Sequence, residues 1–518
     1  MDTLESRPLP ETEEGYLPFW SPDSRSIGFF ARASLMRMDL AGGPVRTLCP
    51  AEVGRGGSWG TRGVILYAHA RGAGLKRIPA AGGPPSDVLQ ENVAGDGVTY
   101  TAPHFLPDGN SFLYRARSLS GSVDAVLLSS LDAPTEQRQL LASASAAVYA
   151  PRQRTGWFGN SPGHVIFVQG GSVMAQTFDV SSRELLRDPF VLATQSRNTV
   201  GMAALSASTN GTVVYESGQG GVSLVWRERN GSQVEAFSSS GSGLGSPSLS
   251  PDGTRIAYGR LETANNWDIW VKDRARGTDS RFTVKPGADI YAVWSATGED
   301  IVYSSVTGLN LQLYRRSASG AGEPEKLTDL QTSPRPTDWS SDGQFVLFHT
   351  GGQFDLMAMQ ISGEKKIFPV VATPFTEMQG RFSPGGQGPP KWFAYVSDES
   401  GTQQVYVQAF VPGSPASGAR TQISTNGGTE PRWRRDGKEL YYLSFDGKMI
   451  AVPVKPDGTR FEAGTPVSLF ATTARPFAPG GWSYDVSRDG QRFLLLEPGS
   501  SQSDPITVIV NWEAALKQ

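Results

Sequence analysis

The chain has almost no cysteine: Cys49 is the single one among 518 residues. An internal disulfide and a thiolate metal cluster are thereby excluded, and a lone free thiol fits a reducing compartment. Charge is sparse as well, at 19% of residues with a formal net of −3 and no long run of either sign. That excludes the broad basic surface a nucleic-acid binder needs, so no nucleic-acid partner is expected. No window approaches a membrane-spanning length of consecutive apolar residues, so no membrane span is expected. The opening MDTLESRPLPETEEGY has neither a basic nor an apolar stretch of signal-peptide type. As written, the chain reads as soluble and cytoplasmic. No segment sustains an i, i+3, i+4, i+7 apolar stripe over several turns, which excludes long amphipathic helices.

What the chain does have is punctuation, with 60 Gly and 36 Pro. Density of that kind suits many short strands joined by turns. The length predicts two to four domains on a rough prior. A short phrase also recurs: SLSPDGTRIAYG at 248–259, DWSSDGQFVLFH at 338–349 and RWRRDGKELYYL at 432–443. Taking the residue before the turn glycine as a marker gives Asp23, Arg62, Asp108, Pro162, Asn210, Asp252, Thr297, Asp342, Gly385, Asp436 and Asp489. Their mean spacing of about 47 lies near the period of four-stranded propeller blades.

The flanks repeat with the marker. Three residues before it stand Trp20, Trp59, Phe105, Leu249, Trp294, Trp339, Phe382, Trp433 and Val486. Four and six residues after it come pairs such as Ile256/Tyr258, Ile301/Tyr303 and Val346/Phe348. Spacing of two puts each pair on one face of a strand. Segments such as NWDIWVKDRARG and GKMIAVPVKPDG then supply a third strand, and SRFTV or PVSLF a fourth. The units near Pro162 and Asn210 match this pattern least well. The fold class expected is all-β, a tandem pair of β-propellers with about eleven four-stranded antiparallel units. The recurring Asp reads as a turn residue, because Thr297, Gly385, Pro162 and Arg62 replace it elsewhere and a catalytic carboxylate could not be so replaced.

The segments SPDGTRIAYG and DIWVKD resemble the repeats of TolB-like, WD-repeat-like bacterial β-propellers, over nearly the whole chain. The ordered series PFWSPDSRSIGFFA, AGGPVRTLCPA, GRGGSW, HVIFVQGGSVMAQTFD, RPTDWS and PITVIVNW is similar to the C-terminal sensor region of bacterial transmembrane serine/threonine protein kinases. That resemblance implies a kinase domain, a membrane span and then an extracytoplasmic propeller. No Gly-rich phosphate loop, H-R-D or D-F-G occurs here, so kinase activity does not carry over.

The Ser/Gly-rich FSSSGSGLGSPS at 237–248 reads as a linker. It divides the chain into an N-terminal propeller, 1–240, and a C-terminal propeller, 241–518. Six units follow it, the number that resembles a closed TolB-like ring. Five precede it, so the first propeller either lacks one blade or closes with five. GNSPG at 159–163 matches a nucleophile elbow around Ser161, but the strand-like HVIFVQGG after it favours a hairpin. His69, His104, His164 and His349 are scattered over separate units, so no metal site is expected. GSGLG at 241–245 reads as linker, and Asn210-Gly211 and Asn230-Gly231 as hairpin turns.

Four residues before the marker, the last six units carry Ser248, Val293, Asp338, Arg381, Arg432 and Asp485. Equal offsets on innermost strands would ring these side chains around one axis. Asp338, Arg381, Arg432 and Asp485 are therefore the candidate ligand-binding residues; the plainer reading has them pairing with one another or facing channel water. The function expected is a non-catalytic scaffold, binding a protein partner or a small polar ligand without a cofactor. The alternative is a propeller hydrolase or lyase using the channel carboxylates.

Overall fold

The computed structural model describes residues 9–513, leaving out 13–14, 32–33, 52–53, 70–73, 91–97, 119–122, 143–146, 153–161, 170–171, 195–197, 200–201, 204, 217–221, 239–242, 264–265, 309, 352–353, 386–387, 457–459, 475–480 and 499–505. The described residues hold only antiparallel sheets and no α-helix. The chain forms two compact units, Met1–Gly220 with Ser501–Gln518, and Gly221–Ser500.

In unit 2 the described residues form six sheets, five of four strands and one of five. The innermost strands are Leu244–Leu249, Asp289–Trp294, Arg335–Trp339, Glu377–Phe382, Thr429–Trp433 and Tyr484–Val486. Each touches the next in that order, and Tyr484–Val486 touches Leu244–Leu249, so the ring closes. Unit 2 is a β-propeller. Closure uses strands from both ends of the unit: Val222–Glu228 pairs with Arg492–Pro498 from Val222↔Pro498 to Glu228↔Arg492, and Gln233–Ser238 lies outside it. The division therefore falls at 220/221 and not within 237–248. That Ser/Gly-rich stretch separates two sheets of a single unit.

In unit 1 the described residues form four four-stranded sheets, a two-stranded ribbon and a three-stranded sheet. The third strand of the last sheet is Ile506–Val510, which pairs with Thr212–Glu216. The segment PITVIVNW thus completes the N-terminal unit, not the C-terminal one.

All eleven markers fall between an edge strand of a sheet and the strand paired with it. Asp252 shows why Asp suits that place. Its Oδ1 accepts hydrogen bonds from Ser250 Oγ at 2.6 Å and from the Thr254 N–H at 3.0 Å, while Gly253 takes φ 72°. Asp23, Asp342 and Asp489 repeat the arrangement with Ser21, Ser340 and Ser487. In the first of these turns Ser24, not glycine, takes the left-handed conformation, at φ 57°. The recurring Asp shapes a corner.

Aromatic and branched side chains from facing sheets fill the space between them. One cluster joins Trp392, Val405 and Val407 of one sheet to Trp433, Leu440 and Tyr442 of the next. In unit 1, Phe19 lies close over Gly28 and Gly57, where a Cβ would come within 2.3 Å of the ring. Trp294 and Trp433 each donate an indole N–H to the sheet before them, to Ser248 O at 3.0 Å and Arg381 O at 3.1 Å. Trp20 holds the same repeat position in the first sheet of unit 1 and is 56% exposed.

Candidate ligand site at the axis of unit 2

Each innermost strand of unit 2 except the last breaks register once, between Gly245 and Ser248, Ile290 and Val293, Pro336 and Asp338, Met378 and Arg381, and Thr429 and Arg432. In four of these bulges the residue six before the marker has positive φ: Ser246 (44°), Tyr291 (61°), Gln379 (56°) and Glu430 (57°). Proline at 336 cannot adopt that conformation, because its ring fixes φ near −65°. A bulge re-aims the side chains that follow it, and here those are the residues four before the marker.

One indole marks the centre. Trp482 is 1% exposed and donates its Nε1–H to Pro247 O at 2.7 Å. Its ring lies 5.9 Å from that of Tyr291, 4.8 Å from Arg381 Cζ and 5.2 Å from Arg432 Cζ. A single side chain that reaches the innermost strands of four sheets lies on the axis. Glu430 is wholly buried beside it and ties the closing strand in place. Its carboxylate accepts bonds from the Ser483 N–H at 2.5 Å and the Ser483 hydroxyl at 3.0 Å, and Tyr484 Oη donates to Glu430 O at 2.8 Å. Burial pushes this carboxyl up to about 7, against the pull of the Ser483 bonds and the Arg432 charge.

The candidate residues from sequence all lie on innermost strands of successive sheets. Asp338 and Asp485 are three sheets apart in a ring of six, on opposite sides, with Arg381 and Arg432 on the sheets between. Uncharged Ser248 and Val293 complete the circle. The two carboxylates are partly committed to structure. Asp338 Oδ2 accepts the Phe382 N–H at 2.8 Å, and Asp485 Oδ2 accepts the Leu249 N–H at 2.7 Å, each from the next sheet. Ser58 does the same in unit 1, accepting the Phe105 N–H at 2.9 Å. This position of the repeat therefore staples neighbouring blades.

The ion pairs across the ring are long. Arg381 Nη1 stands 3.7 Å from Asp338 Oδ1, and Arg432 Nε 3.4 Å from Asp485 Oδ1. Neither approach has hydrogen-bond geometry, and Arg381 Nε, Arg432 Nε and Arg432 Nη2 have no acceptor. Confinement in the ring raises the Asp338 carboxyl although Arg381 is near, and it lowers Arg381 to about 9, with the Arg432 charge adding to the effect. Desolvation thus outweighs the attraction within the Asp338–Arg381 pair and moves both partners toward neutrality. A set of this kind can hold a ligand by its acceptors and can offer a proton.

Sequence reasoning missed Gln379, Glu430 and Trp482. The first two lie six before the marker, an offset that a second pass over the repeat would have collected. Trp482 has no counterpart in the other units. Ser161 lies outside the described residues, and the strand Gly163–Gln169 starts where a nucleophile elbow would require a helix. Among the described residues no group of three His, Cys, Asp or Glu is placed to hold a metal ion. No helix among them is long and apolar enough to cross a membrane. Away from the axis, an open cleft of about 400 Å³ is lined by Phe375, Glu399, Ser400, Tyr406, Arg420 and Gln422; its cation is already paired, Arg420 with Glu399.

No family model matches the chain. It is 32% identical over 107 residues to the uncharacterized peptidase YuxL of Bacillus subtilis, covering 20% of this chain and 16% of that protein. The chain therefore spans about a sixth of the curated relative it matches. A putative TolB from Agrobacterium tumefaciens is similar in structure at 17% identity and TM-score 0.43, over 55% of this chain and all of that one. The tricorn protease is similar at 11% identity and TM-score 0.32, over 88% of this chain and 62% of that one. That unit 2 is a β-propeller rests on its own closed ring of six sheets, and a link to kinase sensor regions stays with the sequence resemblance. The expectation of a non-catalytic chain is corrected by the YuxL match, since the matched 107 residues lie in a protein named as a peptidase.

Proposed function

We propose that the chain is a ligand-binding β-propeller protein acting in hydrolysis, with a small polar substrate engaged at the axis of unit 2. What supports this most is the charged half of the ring. Asp338, whose confinement favours the protonated carboxyl, stands beside two guanidiniums with unmet donors. In this reading Arg381 and Arg432 hold the substrate, water attacks it as the bond to the leaving atom breaks, Asp338 gives that atom a proton and regains one from the attacking water, and Asp485 positions Arg432. The peptidase match supports the class of chemistry through its name alone. The test is a panel of peptide, lactone and glycoside substrates on the purified full chain. Asp338→Asn keeps an oxygen for the Phe382 N–H and should cut turnover roughly 100-fold or more, the usual scale for a lost general acid. Turnover of no substrate, or turnover indifferent to Asp338→Asn, refutes this reading.

A second reading is supported by the order of segments from PFWSPDSRSIGFFA to PITVIVNW. There the propellers sense a ligand or a protein partner on behalf of a receptor-type serine/threonine kinase. In-frame codons upstream of Met1 that encode neither a membrane span nor kinase motifs remove it.

A further inference from the structure

We infer that the axial site of unit 2 takes a singly charged carboxylate, with Arg432 and Arg381 as its donors and Trp482 beneath them. The inference rests on the axial reading above and names the chemistry of the ligand. Arg432 is 4% exposed, yet its Nη2 has no acceptor and its Nε only approaches Asp485 Oδ1 at 3.4 Å. Its Nη1 has only a marginal contact with Pro431 O at 3.5 Å. Arg381 Nε is likewise without an acceptor. Buried donors left unmet are costly, and native structures supply partners for them. The neighbouring carboxylates do not meet these donors: Asp338 Oδ1 stays 3.7 Å from Arg381 and Asp485 Oδ1 3.4 Å from Arg432, neither with hydrogen-bond geometry, while both Oδ2 atoms accept backbone N–H groups of the next sheet.

Both guanidiniums lie over Trp482, at 4.8 and 5.2 Å, and Nε and Nη2 form one edge of Arg432 whose donors are both unmet. A planar two-oxygen anion fits such edges in a way a lone water does not. The two cations also repel one another, and a negative group bonded to both relieves this. A second negative charge on the ligand would meet the Asp485 carboxylate beside Arg432, so one charge suits the arc better than two. A small free acid and the C-terminus of a peptide share this chemistry.

The test is calorimetric titration of the full chain with propionate, with a tetrapeptide acid, with the same peptide amidated, and with inorganic phosphate. Saturable binding of propionate or the peptide acid is expected, at least ten-fold weaker for the amide and for phosphate. Binding of propionate alone assigns a small acid, and binding of the peptide acid alone assigns a chain terminus. Arg432→Gln should weaken binding at least ten-fold. Should that variant fail to fold, Arg381→Gln and Arg432→Lys decide, the latter keeping charge but losing the fork. No saturable carboxylate binding, phosphate binding as tight as carboxylate, or binding unchanged in these variants overturns the inference. If carboxylates fail while an uncharged substrate is turned over in an Asp338-dependent way, the carboxylate inference falls and the hydrolytic reading stands. Carboxylate binding without any turnover does the reverse.

Discussion

Replacing Trp482 by alanine tests whether one indole holds the axis of unit 2 together. The side chain is 1% exposed and packs with Tyr291, Val293, Trp339 and Phe348. Truncating a buried tryptophan costs about 3–5 kcal/mol. The variant also leaves Pro247 O, now bonded at 2.7 Å, without its donor, which adds about 1–3 kcal/mol when the carbonyl stays dry. Two guanidiniums lose the ring they lie over at the same time. These contributions share one site and do not add fully, so about 5 kcal/mol is expected for Trp482→Ala. Trp482→Phe keeps most of the packing and a ring face for the arginines but has no N–H, so about 1–3 kcal/mol is expected. Urea titrations of the full chain, followed by far-UV circular dichroism, read both values as shifts in midpoint at constant slope. A loss below about 1 kcal/mol for Trp482→Ala, or equal losses for the two variants, would refute the picture of a filled axis.

Four further expectations follow from single sites. Glu430 titrates at about 7 in the fold against 4.5 as a free side chain. Folding therefore takes up a proton between those values, and the stability this gives is complete below about 4.5 and lost as pH rises through 7; Glu430→Gln should make the stability profile between pH 5 and 8 shallower, and an unchanged slope counts against the assignment. Trp294→Ala should cost about 3–5 kcal/mol and Trp20→Ala within about 0.5 kcal/mol, as for a surface substitution, although the two share a repeat position; equal costs would mean that Trp20 is covered. Gly57→Ala should cost about 1–3 kcal/mol in thermal melts, since the new Cβ would lie 2.3 Å from Phe19 Cε1. Among the described residues, Ile506, Val508 and Val510 are exposed along a strand whose ladder is with Thr212–Glu216. Val508→Lys should lower concentration-dependent light scattering without moving the melting temperature, because charge blocks edge-to-edge pairing; unaltered scattering speaks against an adhesive edge.

Much of this was legible in the amino-acid order. The spacing of turn glycines placed every innermost strand of unit 2, and the offset of four before the marker placed Asp338, Arg381, Arg432 and Asp485 on them. Asp252 and its equivalents could be assigned to corners because the atoms they bond, Ser250 Oγ and the Thr254 N–H, lie within two residues. The bulges were not legible. They put Tyr291, Gln379 and Glu430 in a left-handed conformation that local preference assigns to glycine, and the packing of neighbouring strands overrides that preference.

The sequence by itself determined the unit: a strand, an Asp-shaped corner and alternating apolar faces, all set by residues adjacent in the chain. Only the tertiary structure decided how the units close. Val222–Glu228 joins Arg492–Pro498, Ile506–Val510 returns to unit 1, and Trp482 fills the axis. The physical reason is that ladder hydrogen bonds run between backbone groups common to nearly every residue. A strand's own sequence makes it fit to pair, while the distant partner it finds depends on which edges the rest of the ring leaves open.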